Sequence, residues 1–379
     1  MNAQQNAGSD GILDIIVIGG GQAGLAIGYH LSRQRRDFVI LDAQQRTGDA
    51  WRLRWDSLRL FTPAKYDGLP GMPFPGDRLA FPTKDDMADY LQAYATRFAL
   101  PVRLGVRVDR LYREGRHYVV IAGDRRWEAA QVVVATGGCQ VPAVPDFADR
   151  IEPSVRQLHS SSYRAPGQLA AGDVLVVGLG NSGAEIALDV SHRHRTWVAG
   201  TPSAEIPFRH GRVAARFALP VVRFVGMHVL NQGNPIGRRI IPKMEIEAAP
   251  LIRTKRRDLA AAGVHFVGQV TGANNGRPTV DEDRPLEVSN VIWCTGYRED
   301  LKWIELPVFD DHGHVMQHRG IVSSSPGLYL LGQEFLYALA SATIPGVGRD
   351  ANYLADRIAE GARIIHGQTS ATAGARSRR

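Results

Sequence analysis

Cysteine is scarce in this sequence: 379 residues include only Cys139 and Cys294. The two residues are far apart and form no C-x-x-C pair, so the sequence encodes neither a dithiol redox centre nor a zinc knuckle. We expect both to be buried, reduced thiols, as is usual for a protein in the cytoplasm, and we predict a cytoplasmic location.

Long hydrophobic runs are missing as well. The longest candidate, residues 217–230, is interrupted by Pro220, Arg223 and His228, whereas a membrane-spanning helix needs about 20 apolar residues. The first ten residues are polar and lack the basic-then-apolar order of a signal peptide. We therefore expect no membrane span. The apolar content of 44% and charged content of 22% are typical of a globular protein, and the length favours two domains.

A glycine-rich turn near the start of the chain is the feature around which the rest is organised. The short apolar run 15–18 predicts a buried parallel strand, and Gly19, Gly21 and Gly24 follow it as G-x-G-x-x-G. A helix over 23–32 and a strand ending at Asp42 come next. In this context the glycines are typical of a turn that holds a pyrophosphate at a helix N-terminus, and Asp42 is placed to bind a ribose.

The same pattern occurs a second time. A strand at 173–177 leads into Gly178, Gly180 and Gly183, and a further strand at 196–200 ends beside Thr201. Two such glycine turns in one chain indicate dinucleotide binding far more specifically than one does. They predict an α/β protein with two dinucleotide-binding, Rossmann-like domains.

The remaining chain is predicted less sharply. We expect a helix capped by Thr83, strands at 102–111, 117–122, 125–129 and 131–135, and strands at 264–270, 286–295 and 327–332. Residues 142–172 read as a hinge, 201–243 as irregular and basic, 244–262 as a helix broken at Pro250, and 349–366 as the last helix.

Charge and histidine content suggest no further partner. The net charge of +7 comes from arginines that are scattered over the chain, with clusters at 193–195, 209–216, 238–239, 253–257 and in the tail. A phosphate-rich cofactor and solubility explain most of this charge, so we predict no nucleic-acid binding. His312, His314 and His318 lie in a turn-like segment with no fourth ligand at a suitable spacing, so we predict no metal site.

Over residues 12–365 the chain resembles class B flavin-dependent monooxygenases, the group of flavin-containing monooxygenases and YUCCA-type enzymes. The matching pieces are the two glycine turns, Asp42, the segments 48–51, 56–63, 135–137 and 159–163, and Thr295-Gly-Tyr297. The resemblance implies an FAD-binding domain at 12–165 and 289–366, with an NAD(P)H-binding domain inserted at 166–288. Residues 1–11 and 367–379 are predicted to be disordered tails.

Site residues are carried over from the resemblance position by position. It assigns to the FAD site Gly19, Gly21, Gly24, Asp42, Gly48, Trp51, Thr136 and Gly137. It assigns to the nicotinamide site Gly178, Gly180, Asn181, Ser182, Gly183 and Thr201. The aromatic residues after Asp42 are equally compatible with core packing and with contact to a cofactor ring.

Two departures from the family pattern bear on the chemistry, and a third, at Thr201, bears on the choice of nicotinamide. Pro153 and Val155 replace a Phe and a Gly that precede the family's histidine, here His159, and Tyr163 follows where Baeyer–Villiger enzymes have Trp, which favours oxidation of heteroatoms. Phe61 occupies the slot of an Asn that helps to hold the oxygenated flavin in flavin-containing monooxygenases. No catalytic residue is certain, because the flavin does the chemistry, and Phe61, Tyr163, Asn181 and Ser182 are the candidates.

The resemblance thus implies an FAD-dependent NAD(P)H monooxygenase that oxygenates a small N, S or carbonyl compound with O2 through an oxygenated flavin. Two alternatives stay open: an NAD(P)H oxidase or reductase that releases hydrogen peroxide or reduces another acceptor, and a flavin-bound sensor. Thr201 selects neither nicotinamide strongly, so a lean toward NADPH rests on Arg209 or Arg212 reaching the 2′-phosphate. The substrate is not determined, and a homodimer remains open.

Overall fold

The computed structural model describes residues 11–201, 204–244, 249–281 and 284–376. A seven-stranded sheet forms the first unit, in the order β3-β2-β1-β6-β5-β4, with β17 also pairing with β6. Its strands are β1 (Leu13–Ile18), β2 (Phe38–Leu41), β3 (Val102–Arg103), β4 (Arg110–Glu114), β5 (His117–Ala122), β6 (Arg125–Val134) and β17 (Leu328–Leu330). The predicted strand at 102–111 is in fact two short strands.

Strand β6 belongs to two kinds of pairing at once. Its first half runs antiparallel to β5, whereas its second half runs parallel to both β1 and β17. The two strands predicted at 125–129 and 131–135 are therefore one continuous strand. This arrangement returns the meander to the parallel sheet and places Thr136 at its carboxyl edge.

The second sheet has five parallel strands in the order β11-β10-β9-β15-β8. They are β8 (Arg156–His159), β9 (Val174–Val177), β10 (Thr196–Ala199), β11 (His265–Val267) and β15 (Asn290–Trp293). By sheet membership this unit extends from β8 to β15, whereas the sequence places its boundaries at 166 and 288. The difference arises because β8 is a four-residue edge strand inside the segment predicted to be a hinge.

Two small sheets complete the strands. The first contains β12 (Val270–Asn274), β13 (Arg277–Val280) and β14 (Arg284–Pro285), in which the chain order is also the strand order. The second is an antiparallel ribbon of β7 (Val141–Pro142) and β16 (Tyr297–Arg298). This ribbon joins the two places where the chain passes between the large sheets.

Eight α-helices are found in the described residues. They are α1 (Gln22–Arg33), α2 (Asp49–Arg52), α3 (Lys84–Arg97), α4 (Asn181–Ser191), α5 (Arg212–Phe224), α6 (Pro235–Met244), α7 (Arg256–Ala261) and α8 (Ile344–Arg376). Helix α3 begins at the predicted cap, where Thr83 and Asp86 form a capping box. None of these helices has the length and apolar character to cross a membrane.

Two predictions about helices are wrong, and the last helix, predicted at 349–366, is confirmed with different ends. Residues 201–243, expected to be irregular, contain α5, a π-helical turn at Val225–Val229 and most of α6. In 244–262, residues 245–248 lie outside the described part, and the helix after them is only α7. Helix α8 begins before 349 and continues to Arg376, through most of the expected tail; residues 1–10 and 377–379 of the tails lie outside the described part.

Apolar side chains fill both faces of each large sheet. Helices α1, α3 and α8 cover one face of the first sheet. Leu25, Leu91 and Leu354, one from each helix, are buried there with no exposed surface. In the second sheet one face packs against α4 and α7, and this core includes Trp55 from the loop after α2. The loop after α2, which belongs to the first unit, is thus anchored in the core of the second unit. This contact positions the site described next.

Candidate functional site

The first glycine turn leaves open space on one side only. Gly19 has φ +109°, and a Cβ there would lie 2.5 Å from the carbonyl oxygen of Ala135. A Cβ on Gly24 would overlap the carbonyl oxygen of Gly19, whereas one on Gly21 would meet nothing within 4 Å. Gly19 and Gly24 are therefore required by packing. Gly21 faces free space at the N-terminus of α1, the position at which helix N–H groups bind phosphate.

Asp42 lies directly beside this turn. A Cβ on Gly20 would come within 2.5 Å of its Oδ2 atom, so Gly20 is a fourth required glycine, which sequence analysis missed. Asp42 is 8% exposed, and its Oδ1 atom accepts a hydrogen bond from the backbone N–H of Gln44 at 3.1 Å. Burial raises the pKa of Asp42 above its usual value. The carboxyl group is thus held at the turn with one oxygen free of hydrogen bonds to the described residues.

The second glycine turn repeats the geometry of the first. Gly178 has φ +105°, and a Cβ there would overlap the carbonyl oxygen of Cys294. A Cβ on Gly183 would overlap the carbonyl oxygen of Gly178, and Gly180 again faces open space. In both turns the glycine just before the helix, Gly21 or Gly180, therefore faces open space. The residues fit two dinucleotide pyrophosphates, one for each unit.

Trp51 and Gln22 connect the first turn to the rest of its unit. The indole Nε1 of Trp51 donates to Gln22 Oε1 at 3.2 Å, and Gln22 Nε2 donates to the carbonyl oxygen of Ala342 at 3.4 Å, just before α8. Gly48 is explained by packing, since it has φ +90° and a Cβ would lie 2.5 Å from the Ala88 carbonyl oxygen. Gly332, which sequence analysis did not select, is also required by packing, because a Cβ there would lie 2.6 Å from that of Ala23.

The two Thr-Gly pairs lie at matching sheet edges. Gln140 Nε2 donates to Thr136 Oγ1 at 2.9 Å and to the Gly137 carbonyl oxygen at 2.7 Å. At the other pair, His159 Nδ1 accepts from the Ser161 N–H at 3.1 Å, so its Nε2 donates to the Gly296 carbonyl oxygen at 3.0 Å. Burial lowers the pKa of His159, which keeps the ring neutral in this linking role.

Phe61 lies where the two units meet. The guanidinium of Arg253 contacts its ring, and Arg253 Nη2 donates to the carbonyl oxygens of Arg59 at 2.7 Å and Leu60 at 2.6 Å. Arg253 also pairs with Glu185 on α4, with 3.2 Å between Nη1 and Oε1. Burial raises the pKa of Glu185 to about 7, while Arg253 opposes that shift. Arg253 and Glu185 were missed by sequence analysis because neither belongs to a motif.

The other candidate catalytic side chains are already engaged. Tyr163 is fully buried, and its hydroxyl donates to Asp189 Oδ2 at 2.7 Å, so it does not reach an open site. Asn181 Nδ2 donates to the Pro250 carbonyl oxygen and its Oδ1 accepts from Ile252 N–H, each at 2.9 Å. Its amide therefore holds the chain before Arg253. Ser182 is exposed in the first turn of α4.

Thr201 lines a cavity of about 480 Å³ at the end of β10, together with Arg256, Phe266, Gln269 and Asp281. Gln269 Nε2 donates to Thr201 Oγ1 at 2.9 Å, and the Arg256 guanidinium lies 5.6 Å from the Phe266 ring centroid. Arg212 instead pairs with Asp77 in the loop of the first unit. Neither Arg209 nor Arg212 lines this cavity. The arginine found there is Arg256, which the sequence reading did not select.

Asp67 is an additional buried acid in the loop that follows Phe61. It has no exposed surface, accepts a hydrogen bond from Thr62, and its Oδ2 atom has no hydrogen-bond partner among the described residues. Burial raises its pKa to about 7. It lies in a Pro- and Gly-rich stretch whose pattern predicts only a loop.

The cysteines differ from expectation in one respect. Cys139 is exposed, not buried, whereas Cys294 is partly buried and burial raises its pKa to about 12. Both are free thiols. No group of three or more His, Cys, Asp or Glu side chains suited to a metal occurs in the described residues.

The fold and the two open glycine turns define an oxidoreductase with one dinucleotide site in each of two units. A profile of the pyridine nucleotide-disulphide oxidoreductase family matches residues 16–208. The uncharacterized oxidoreductase CzcO-like of Geobacillus kaustophilus (strain HTA426) is 38% identical over 351 residues, which are 92% of this chain and 98% of the relative. The probable indole-3-pyruvate monooxygenase YUCCA7 of Arabidopsis thaliana is 27% identical over 76% of this chain and 75% of its own length.

A solved structure agrees with these relatives. The flavin-containing monooxygenase from Stenotrophomonas maltophilia is 29% identical, with a TM-score of 0.74, and the match covers 92% of this chain and 98% of that one. The chain belongs to the pyridine nucleotide-disulphide oxidoreductase family and, within it, to the class B flavin-dependent monooxygenases. It is an FAD-dependent NAD(P)H oxidoreductase of the monooxygenase type. Its two cysteines, Cys139 and Cys294, form no C-x-x-C pair.

Proposed function

We propose that this enzyme uses NADPH in preference to NADH and inserts an oxygen atom into a nitrogen, sulfur or carbonyl group of a small organic molecule. Bound FAD supplies the chemistry, since it accepts hydride from the nicotinamide and activates O2. The residues proposed for FAD are Gly19, Gly21, Gly24, Asp42, Gly48, Trp51, Thr136 and Gly137. Those proposed for the nicotinamide are Gly178, Gly180, Asn181, Ser182, Gly183 and Thr201.

One observation carries the proposal. Two open helix N-termini of matching geometry lie in two different units, and the segment after Trp51 connects these units. In that segment Arg54 Nη1 donates to the Tyr297 hydroxyl at 2.6 Å, Trp55 enters the second core, and Arg253 holds the chain before Phe61. A hydride donor in one unit must reach an acceptor in the other, and this arrangement supports such a transfer. In our proposal the ring of Phe61 provides apolar cover at this junction and limits the entry of water.

The preference for NADPH rests on Arg256. An arginine beside the second strand of a dinucleotide-binding unit is suited to a 2′-phosphate, whereas an acid there would favour the free hydroxyl of NADH. Asp281 lines the same cavity, but its carboxylate accepts from the Gly268 N–H at 2.8 Å and from Arg284 at 3.2 Å. These contacts offset its charge, and we propose that Arg256 and Gln269 bind the phosphate.

A second candidate function is an NAD(P)H oxidase that releases hydrogen peroxide. It is favoured by the lack of an amide at Phe61 and by the engaged hydrogen-bonding groups of Tyr163 and Asn181. These leave few donors to stabilise charge during oxygen activation.

Anaerobic reduction followed by oxygen separates the two candidates. The FAD-loaded protein is mixed with NADPH or NADH, the bleaching of the flavin is recorded, and oxygen is admitted with amines, thioethers or ketones. The proposal expects an oxygenated product in amounts that follow NADPH consumption for at least one substrate class. Peroxide equal to the NADPH consumed, with every class tested, would support the oxidase instead.

A further inference from the structure

Helix α5 carries an apolar stripe that faces away from the protein. Val213, Phe217, Val221 and Phe224 follow one another at intervals of four, four and three residues, so they lie on one side of the helix. They are 77%, 67%, 61% and 58% exposed. The side of the helix that packs inward is made of small residues, since Ala214 and Ala215 are buried. A helix of a globular protein normally buries its larger apolar side chains, and α5 does the reverse.

Helix α6 also exposes apolar side chains to solvent. Ile236 and Ile240 are spaced by one helical turn and are 54% and 36% exposed. Gly237, between them, is buried against the backbone of Asn231, where a Cβ would not fit. We call the exposed apolar residues of the α5 stripe and of α6 the outer face; it consists of Val213, Phe217, Val221, Phe224, Ile236 and Ile240.

Contacts of α5 and of the residues just before and after it dock this segment on the first unit. Lys65 Nζ donates to the Ala215 carbonyl oxygen at 2.7 Å, and Arg349 Nη1 donates to the Met227 carbonyl oxygen at 2.9 Å. His210 is joined through Nε2 to the Phe61 carbonyl oxygen at 2.8 Å. The outer face is therefore held in a defined orientation on the folded protein.

The segment that carries the outer face has a local excess of positive charge. Between Glu205 and Glu245 there is no acidic residue, but there are six arginines and one lysine. The rest of the chain holds 38 basic and 38 acidic residues, so its formal charge is zero. Arg216 on α5 and Arg238 and Arg239 on α6 are exposed, whereas Arg212, also exposed, pairs with Asp77. The surface thus combines exposed apolar side chains with a local excess of positive charge.

This combination decides between possible partners. A second copy of the same face would bring like charges together across a two-fold axis, and this repulsion is unfavourable. Nucleic acid would use the arginines but leave the valine and phenylalanine side chains in water. An anionic bilayer surface takes up both, because apolar side chains enter the boundary below the headgroups while arginines bind the phosphates.

We propose that the outer face of α5 and α6 binds the surface of anionic membranes and holds the enzyme there without spanning the bilayer. The proposal concerns a surface apart from both glycine turns, so it does not depend on which substrate the enzyme oxidises. In this orientation α5 would contact the membrane. The loop that carries Phe61 would lie on the other side of α5, next to the first unit.

Vesicle binding tests the proposal. The full-length, FAD-loaded protein is sedimented with phosphatidylcholine vesicles prepared with and without phosphatidylglycerol, at low and high salt. We expect binding only to the anionic vesicles, weakened by salt. Equal binding to both kinds of vesicle, or binding to neither, would overturn the proposal.

Two variants with matched controls assign the binding to the outer face. Arg238→Gln with Arg239→Gln should weaken binding about 30-fold, if each arginine contributes as basic residues do at anionic surfaces. Phe217→Ser with Phe224→Ser should abolish most of the remaining binding at high salt. Arg107→Gln with Arg116→Gln changes the net charge equally, and Met316→Ser removes an apolar side chain that is 49% exposed elsewhere.

The controls should bind as the native protein does, and all variants should keep their FAD and their rate of NADPH oxidation. Equal loss in the charge control would mean that net charge alone, not this surface, drives binding. A change from dimer to monomer in the Phe217/Phe224 variant, without vesicle binding by the native protein, would identify the face as a contact between copies and refute the proposal.

Discussion

The guanidinium carbon of Arg253 lies 5.3 Å from the centroid of the Phe61 ring, across the junction of the two units. Phe61 lies in the loop of the first unit that follows α2. Arg253 lies in the second unit, before α7, and pairs with Glu185 on α4. One side chain thus contacts the position at which this chain departs from its family and also the helix of the second glycine turn. The geometry between the two proposed cofactor sites depends on this contact.

Replacing Arg253 should loosen the junction. Arg253→Gln removes the hydrogen bonds to the backbone before Phe61 and leaves Glu185 buried without its cation. Breaking a buried ion pair costs about 3–5 kcal/mol, and the partial exposure of Arg253 places the loss in unfolding free energy near or below the lower value. Adding Glu185→Gln should recover part of it. If urea unfolding shows equal stability in the single and double variants, the ion pair does not stabilise the junction.

Phe61→Asn should reduce the release of hydrogen peroxide. An amide can donate a hydrogen bond toward the site of oxygen activation, whereas a phenyl ring cannot. A well-aimed donor in an active site is worth about 2.7–4 kcal/mol in related chemistry. Peroxide formed per NADPH consumed, measured without substrate, gives the leak. Phe61→Leu is the control, since it keeps apolar cover without adding a donor. A native enzyme that forms almost no peroxide would show that another group already fills this role.

Asp42→Ala should weaken FAD binding. The substitution removes a carboxylate proposed to bind the ribose, and hydrogen bonds to charged groups contribute about 1.5–3 kcal/mol each, which corresponds to roughly 10- to 150-fold in dissociation constant. Fluorescence titration of the FAD-depleted protein measures it. Asp37→Ala, at an exposed position just before β2, is the matched control. Unchanged FAD affinity in the Asp42 variant would refute its assignment.

Arg256→Ala should change the choice of nicotinamide. Loss of one charge-assisted contact to the 2′-phosphate is expected to raise the KM for NADPH at least about tenfold, or ~1.4 kcal/mol, and to leave that for NADH nearly unchanged. Arg257→Ala removes a neighbouring, exposed arginine that does not line the cavity. Equal effects on both nicotinamides would mean that Arg256 acts on structure and not on the phosphate.

Asp67 should make stability fall as pH rises. Its folded-state pKa of about 7 lies above that of an unfolded aspartate, near 3.9. Between these values the unfolded chain releases a proton that the folded protein keeps, so stability decreases by up to about 1.4 kcal/mol per pH unit and levels off above pH ~7. Asp67→Asn removes this contribution. Unfolding midpoints of both proteins at several pH values should diverge in slope, and parallel curves would contradict the assigned pKa.

Local patterns of the sequence were sufficient to predict the two glycine turns. Strand, glycine spacing and helix follow one another within about fifteen residues there, and the first and last glycine of each turn are required by contacts within that unit, as for Gly24 against Gly19. The start of α3 was predictable for the same reason, because Thr83 and Asp86 satisfy the first turn of the helix by themselves. The family and its two cofactors follow from such short-range patterns.

Helices α5 and α6 were missed because their sequence conflicts with the usual signs of a helix. Pro220 and Pro242 lie inside them, and an internal proline normally indicates the end of a helix. The spacing of the apolar residues in α5 is helical, but the prolines were given more weight in the prediction. The free energy that holds them comes from docking on the first unit, through contacts such as Lys65 to Ala215. Contacts of this kind are not encoded within the segment.

Tertiary structure alone decided which side chains meet at the site. Arg253 comes 192 positions after Phe61, and Arg256 comes 55 positions after Thr201, so no spacing rule connects them. Parallel strand order brings the ends of β10 and β11 together and places Arg256 beside Thr201. The sequence determined the two nucleotide turns through neighbouring residues. The junction between them, its buried charges and its cavity exist only because distant segments pack against one another.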